Sequence, residues 1–384
     1  MNINHFTSAG VSKSRREFLR QATGACLTGG LLQSPLRVLS AAQTPRRRKA
    51  VVVTFGGGAR DDETFMPEGQ ENIPHLIRDL LPRATLFTQV VNRGILGHYV
   101  ANASLATGAY ETLNNFTAPP PEHPTVFEYF RKDLGRPSSD VWVIAPSVGF
   151  ERIGESAHKS YGPGFGANVI LPKRLLASAV PAGALADYNA LLRDNYESPL
   201  YRPEAAAADL ELERVTGLLK FSISDFVAGA RNLESPDELS VYLARRLMQQ
   251  FAPSLVWITL HDIDIAHAGT FSLYVDAIRR TDRLCSDIWT MIQKNPEYAG
   301  VTTMFVLPDF GRDADETPGG NGFQHHRTGD ARSRTTWMLA MGPDIRENVL
   351  IDRAVDSMDL VPTLGAYFGF SPRFAQGRRL SELF

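Results

Sequence analysis

Residues 50–55 have the sequence Ala-Val-Val-Val-Thr-Phe, a continuous apolar and β-branched run that leads into three glycines at positions 56–58. A run without polar alternation is typical of a strand that is buried on both faces of a parallel sheet. The glycines favour a turn, because they adopt backbone conformations that other residues avoid. Residues 255–260, Leu-Val-Trp-Ile-Thr-Leu, have the same character, so we predict another buried strand there.

The rest of the chain alternates between strand-like and helix-like patterns. Short apolar runs predict further strands at 85–91, 141–145, 301–307 and 335–341. Apolar spacing predicts helices at 73–81, 102–107, 204–219, 236–251, 271–292 and 357–368. This alternation predicts an α/β fold, a three-layer sandwich with a largely parallel central sheet.

The composition is that of a globular protein. Of the 384 residues, 43% are hydrophobic and 21% are charged, which excludes a disordered, collagen-like or coiled-coil chain. The formal net charge of -2 gives no reason to expect a nucleic-acid partner. No apolar run reaches about 18 residues, so we expect no stable insertion into a membrane.

The first part of the chain resembles an export signal. Residues 14–20, Ser-Arg-Arg-Glu-Phe-Leu-Arg, are similar to a twin-arginine signal, and Ser40 and Ala42 fit a cleavage site. We therefore expect export to the periplasm or cell envelope, with the twin-arginine translocase as a partner during export. The predicted regions are a signal peptide at 1–42, a basic linker at 43–49 and one domain at 50–384, with a largely helical insertion or cap at 137–250.

Residues that can bind a metal ion follow the predicted strands, and in α/β folds functional residues collect at the carboxyl ends of strands. The candidates are Asp262, Asp264, His267, Asp309, His325 and His326. Carboxylates and imidazoles are ligands of Zn²⁺ and similar ions, so we predict a divalent metal cofactor, zinc first, with manganese or calcium as alternatives. The same spacing also fits capping aspartates and hydrogen-bonded surface histidines.

The glycine turn at residues 56–60, Gly-Gly-Gly-Ala-Arg, has two interpretations. Its backbone N–H groups and the Arg60 guanidinium could bind an anion, which makes Arg60 a candidate substrate-binding residue. A tight turn without a ligand explains the same residues.

Several short segments occur in an order found in a known enzyme family. They are Ile-Pro-His-Leu at 73–76, Ser-Leu-Ala-Thr-Gly-Ala-Tyr at 104–110, Pro-Asp-Phe-Gly at 308–311, Gly-Pro at 342–343 and Asp-Leu-Val-Pro-Thr-Leu at 359–364. Together they resemble the alkaline phosphatase superfamily, which includes phosphodiesterases, sulfatases and cofactor-independent phosphoglycerate mutases. The resemblance runs from about residue 50 to the C-terminus and implies an alkaline phosphatase-like sandwich.

The resemblance implies two metal sites around a phosphate or sulfate ester. The first site would take Asp262 or Asp264, His267, and one of the two late histidines at 325 and 326. In the family the aspartate precedes the histidine by four residues. Here the two aspartates precede His267 by five and by three residues, so both remain candidates.

The second site departs from the family pattern. The early Asp-Gly is replaced by Gly57-Gly58, the histidine of Asp-His by Phe310, and the nucleophile position falls on His98, so that Asp309 is the one clear survivor. His98 is therefore the candidate catalytic residue, as a nucleophile, a general acid–base or a metal ligand.

Two classes of function follow. The favoured one is an exported, metal-dependent hydrolase that acts on a small-molecule or polymeric phosphate or sulfate ester. The alternative is a catalytically degenerate pseudoenzyme that binds a ligand or partner, with His98 as a structural residue. A phosphoryl mutase is a weaker third option, since export fits central metabolism badly.

Overall fold

The computed structural model describes residues 47–146, 148–193, 214–220, 222–316 and 321–384. The predicted signal peptide, most of the linker and the part of the predicted 204–219 helix before residue 214 lie outside the described residues. Among the residues described, no helix is both long and apolar enough to cross a membrane.

One eight-stranded sheet forms the centre of the fold, in the order β4-β3-β5-β1-β6-β7-β2-β8. The strands are β1 Lys49–Thr54, β2 Ala84–Val91, β3 Val141–Ile144, β4 Asn168–Ile170, β5 Leu255–Thr259, β6 Thr302–Leu307, β7 Thr335–Met341 and β8 Val349–Asp356. All pairings are parallel except those of β7, which is antiparallel to both β6 and β2. The predicted largely parallel sheet is confirmed.

Side chains of β1 alternate between two hydrophobic layers. Val51 and Val53 belong to one core cluster, whereas Ala50 and Val52 belong to the other. The alternation follows from the two-residue period of a strand, and every residue of β1 is buried. Because both faces of the sheet are covered, the strand shows the continuous apolar run that marks it in the sequence.

Among the described residues, the helices of eight or more residues pack on these two faces. They are α1 His98–Thr107, α2 Pro172–Ala179, α3 Ile223–Ala230, α4 Pro236–Phe251, α5 Phe271–Lys294 and α6 Leu360–Phe368. Leu243 of α4 and Ile278 of α5 join the core on one face, and Val100 of α1 and Leu364 of α6 join the core on the other. The predicted three-layer sandwich is therefore confirmed.

The edge strands β4 and β8 are missing from the sequence-based prediction. β8 lies at one end of the sheet and most of its side chains are half-buried or exposed, so it lacks a continuous apolar run. β4 has only three residues, too few to give a pattern. Helix α1 begins at His98, earlier than the predicted start at residue 102, and so carries His98 on its first turn.

Residues 137–250, the predicted insertion or cap, contain β3 and β4 as well as α2, α3 and α4. Since β3 pairs with β5, part of this segment extends the central sheet. The division of the chain into domains stays a prediction.

Gly108 ends α1 with a positive φ of 69°, and an added Cβ would lie 2.8 Å from Val361 Cβ and 2.9 Å from Ala375 Cβ. We expect Gly108→Ala to lower the free energy of unfolding by about 2–4 kcal/mol, because backbone strain and overpacking add. Gly135→Ala is the matched control, since Gly135 has a φ of 63° and nothing within 4 Å of an added Cβ. Urea unfolding measures both losses, and equal losses would contradict the close packing at Gly108.

Candidate functional site

The carboxyl ends of three adjacent strands carry the candidate site. Strands β5, β1 and β6 lie side by side and run parallel, so the loops that follow them meet at one edge of the sheet. Asp264 and His267 follow β5, and Asp309 follows β6. His326 lies on the loop at 308–334, which joins β6 to the antiparallel β7, and His98 is the first residue of α1.

Gly57 allows the turn after β1 to approach the loop after β5. Its φ is +100°, and an added Cβ would lie 2.4 Å from the backbone nitrogen of Asp264. Glycine is therefore required at this contact. The aspartate that the family resemblance places here has no room for its side chain.

His98 lies between two buried carboxylates. Its Nδ1 is 2.7 Å from Asp309 Oδ2, and its Nε2 is 2.9 Å from Asp264 Oδ1. Burial acts to lower the pKa of His98, but the charges of Asp264 and Asp309 outweigh it and raise the pKa to about 10. In the structure as it stands, the imidazole is therefore a cation that donates a hydrogen bond from each nitrogen.

Asp264 also contacts a second buried cation. Arg312 Nη2 lies 2.9 Å from Asp264 Oδ1, its Nε donates to the Gly58 carbonyl at 2.8 Å, and Nη2 also donates to the Gly57 carbonyl. Burial acts to raise the pKa of Asp264, but the charge of His98 and hydrogen bonds from histidines hold the pKa well below its usual range. The carboxylate is therefore ionised.

Two further histidines approach the same carboxylate. His267 Nε2 lies 3.2 Å from Asp264 Oδ1 and 2.9 Å from His326 Nε2. Burial, together with the charge of His98, lowers the pKa of His326 to about 2, so this ring is neutral at ordinary pH. A neutral imidazole is the form that binds a metal ion.

These side chains form one group that could hold an ion. One donor atom from each of His98, Asp264, His267 and His326 lies within 4.8 Å of the other three, and within the described residues this is the single such group. Three imidazoles and one carboxylate are a donor set that suits a tetrahedral ion such as Zn²⁺. Asp309 contacts the other ring nitrogen of His98, Nδ1. A carboxylate in this position orients a histidine that binds a metal ion.

Phe310 occupies the position at which the family resemblance places the histidine of the Asp-His pair. Its ring stacks on His98 with centroids 4.6 Å apart and an interplanar angle of 28°, and it packs with Leu96 and Ala101. A phenyl ring offers no metal ligand. Close to Asp309, the structure therefore has the apolar ring of Phe310, which packs against His98.

His261 is a site residue to which the sequence analysis gave no role. Its ring centroid lies 4.7 Å from that of His98, and its Nε2 is 3.8 Å from Asp264 Oδ2. Burial, followed by the charge of His98, lowers the pKa of His261 to about 4, so the ring is neutral at ordinary pH. Its position directly after β5 is the signal that marks it in the sequence.

Asp237 of α4 fixes the start of the loop after β5. Its carboxylate accepts the backbone N–H of His261 at 2.8 Å and that of Asp262 at 2.8 Å. No local sequence pattern indicates this contact, because it joins α4 to a loop on the far side of a strand. Asp237 therefore positions the segment that carries Asp264 and His267.

The remaining candidates have other partners. Asp262 Oδ2 is 3.5 Å from Arg280, and Arg60 pairs with Glu63 and, at 2.6 Å, with Asp315. His325 precedes His326 and accepts the backbone N–H of Asp313 at its carbonyl oxygen. The group of four donors includes none of Asp262, Asp309 and His325. Their roles as ligands, the catalytic role of His98 and the substrate-binding role of Arg60 stay predictions.

A cavity of about 270 Å³ opens onto the group. Its lining includes His98, His261, Asp264, His267 and His326. The four residues of the group are therefore accessible to a small molecule.

The raised pKa of His98 predicts how the stability of the metal-free protein depends on pH. The stabilisation from protonated His98 is fully present below pH 6.5, the unshifted value, and is lost as the pH rises through about 10. We expect the free energy of unfolding, measured with a chelator present, to fall over this range. In Asp309→Asn the fall should be smaller, because one of the two partner charges is gone. An identical pH profile in both proteins would contradict the ion pair.

Comparisons with known proteins bear on the fold of this chain. No protein-family model matches the chain, and no curated protein matches it. Solved structures match its fold. A protein in the alkaline phosphatase superfamily from Vibrio parahaemolyticus has a TM-score of 0.54 at 13% identity, covering 90% of this chain and 72% of that one.

Two further structures have named activities. Wild-type alkaline phosphatase PafA has a TM-score of 0.53 at 12% identity, covering 89% of this chain and 100% of its own. The phosphonate monoester hydrolase of Agrobacterium radiobacter has a TM-score of 0.51 at 12% identity, covering 87% of this chain and 76% of its own. The resemblance seen in the sequence is thus confirmed at the level of architecture: this chain has the alkaline phosphatase superfamily fold.

Proposed function

We propose that this protein is a hydrolase of phosphate or sulfate esters that works with one divalent metal ion. The observation that carries the proposal is the convergence of donor atoms from His98, Asp264, His267 and His326 within 4.8 Å at the edge of a cavity. The phosphatase and phosphonate monoester hydrolase that share the fold support an ester as the substrate.

The bound ion would act as a Lewis acid on the ester and lower the pKa of a water molecule. The chain itself holds the ligands in place. Asp309 accepts the Nδ1 hydrogen of His98, which leaves Nε2 for the ion. Arg312 fixes Asp264 through a buried hydrogen bond, and Asp237 fixes the loop that carries Asp264.

His98 acts as a ligand in this proposal and not as the nucleophile. A metal ligand and an imidazole nucleophile both need a deprotonated nitrogen, and both nitrogens of His98 contact carboxylate oxygens, at 2.7 Å and 2.9 Å. We assign the ligand role because His98 contributes one of the four converging donor atoms. With Nδ1 held by Asp309, the one nitrogen that can face an ion is Nε2, which lies on the side of Asp264.

His261 is the general base. Its Nε2 is buried and makes no hydrogen bond to the described residues, and the ring lines the cavity beside His98. Because its pKa is lowered to about 4, the ring is neutral at ordinary pH, and in the tautomer with the hydrogen on Nδ1 its Nε2 can accept a proton. His261 would take a proton at Nε2 from the attacking water and pass it to the leaving alcohol.

A second candidate is a protein that binds its ligand without turnover. The observation in its favour is the loss of family residues around Asp309, where Phe310 and Gly57 stand in place of ligands. In this case His98 and Arg312 balance the charges of Asp264 and Asp309 without an ion.

We also propose that the protein is exported to the periplasm or cell envelope by the twin-arginine pathway. The support is the sequence at residues 14–20 and the small residues Ser40 and Ala42. This pathway carries folded proteins, which suits an enzyme that must bind its metal before export.

Metal content tests the ion. We expect about one equivalent of zinc, manganese or calcium in the purified protein, by elemental mass spectrometry, and its loss in His267→Ala, because a ligand is removed. His325→Ala is the matched control, since this neighbouring histidine lies outside the group and should retain the metal. Absence of metal from the wild-type protein, even after incubation with each ion, would support the binding protein instead.

Kinetics test the general base. We expect His261→Ala to lower kcat for a phosphate or sulfate ester by about 10²–10⁴ while the metal content is unchanged. His75→Ala is the control, since this histidine is exposed and pairs with Asp79 at the surface. An unchanged kcat in His261→Ala would refute the role of His261, and loss of metal in this variant would identify it as a ligand.

A further inference from the structure

The mouth of the cavity at the candidate site presents large apolar side chains to solvent. Phe116 is 74% exposed and Ile95 is 41% exposed, and both line the cavity that contains His98. Phe116 is the most exposed large apolar side chain among the described residues. Burial of an exposed apolar side chain releases free energy, so a ligand that covers Phe116 and Ile95 gains binding free energy there.

The loop that carries Phe116 is held in place. Asn114 Oδ1 accepts the backbone N–H of Phe116 at 2.9 Å and that of Thr117 at 3.0 Å, and the Asn114 carbonyl accepts the N–H of Ala118 at 3.0 Å. These bonds form a turn around an asparagine. Phe116 is thus presented at the mouth by a fixed turn.

The cavity wall between the mouth and the histidines is also apolar. Leu96, Tyr99 and Phe150 line it. The Tyr99 hydroxyl donates to the Pro119 carbonyl at 2.5 Å, and Asn115 Oδ1 accepts the Tyr99 backbone N–H at 3.0 Å, so these polar groups already have partners within the protein. The groups that can bind an ester head are concentrated at the floor, around Asp264.

The charge of the side chains that line the cavity argues against a highly charged substrate. No lysine or arginine of the described residues lines it, whereas a second and larger surface cavity is lined by Arg152, Lys159 and Arg174. A substrate with an additional phosphate, sulfate or carboxylate group would find no lysine or arginine side chain here to pair with it. The volume of about 270 Å³ lies just below the range of about 300–1,000 Å³ typical of sites for drug-sized ligands, which favours a small organic group.

We propose that the preferred substrates are esters of small apolar alcohols, with an aryl or short alkyl group seated on Phe116 and Ile95 and the ester head at the histidines. This inference rests on the proposed hydrolase function, because it assigns the organic part of the substrate of that same site. Phe116 and Ile95 are then specificity-determining residues and take no part in the chemistry.

Steady-state kinetics with phenyl phosphate, phenyl sulfate and methyl phosphate test the turnover side of the proposal. We expect Phe116→Ala to raise KM for the phenyl ester that is hydrolysed by about tenfold, with kcat unchanged, because an aromatic contact is lost. KM for methyl phosphate should not move. Ile95→Ala should act in the same direction, and Phe374→Ala, which truncates an exposed phenylalanine outside the cavity lining, should change neither constant.

Binding of non-hydrolysable phosphonates separates this inference from the hydrolase proposal. In calorimetry with the metal-loaded protein, phenylphosphonate should bind about tenfold more tightly than methylphosphonate, and Phe116→Ala should abolish the difference. If phenylphosphonate is preferred but no ester is hydrolysed, the role of the apolar mouth in ligand binding is supported and the hydrolase proposal is contradicted. If esters are hydrolysed but phenyl and methyl ligands bind equally, or if neither phosphonate binds, the inference is overturned.

Discussion

The contact of His98 with Asp264 and Asp309 is the interaction on which the site depends. It joins the first residue of α1 to the loops after β5 and β6, so three separate elements share one buried ion-pair cluster. The first turn of a helix disfavours a cation. Two carboxylates outweigh that effect here. Removal of one partner would leave the others charged and buried, which is the costly state for such a cluster.

In the candidate site, positively charged side chains balance negatively charged ones. Protonated His98 and Arg312 face ionised Asp264 and its neighbour Asp309, so the centre is compensated before any ligand arrives. An incoming ion must compete with the His98 proton for Nε2, and its binding is therefore coupled to proton release. The rings of Phe310 and His261 on either side of His98 limit its access to water, which strengthens each of these electrostatic contacts.

The sequence predicts the central sheet well because residues buried on both faces leave a continuous apolar signal, as at 50–55 and 255–260. It fails for β8, whose edge position leaves its side chains partly exposed. His267 and His326 are visible because they lie in loops that follow predicted strands, and His98 is visible through the family resemblance; the structure brings all three to Asp264. No sequence pattern predicts the contact of Asp237 with the loop after β5, because the contact depends on how α4 packs against that loop.

The antiparallel strand β7 determines the path of the loop that carries much of the candidate site. Because β6 and β7 pair with opposite directions, the loop at 308–334 leaves the sheet and returns to it at the same edge. This single excursion supplies Asp309, Phe310, Arg312 and His326. Because these residues follow one another along a single connection, a change in that connection alters the chemistry of the site while the paired strands on either side keep their register.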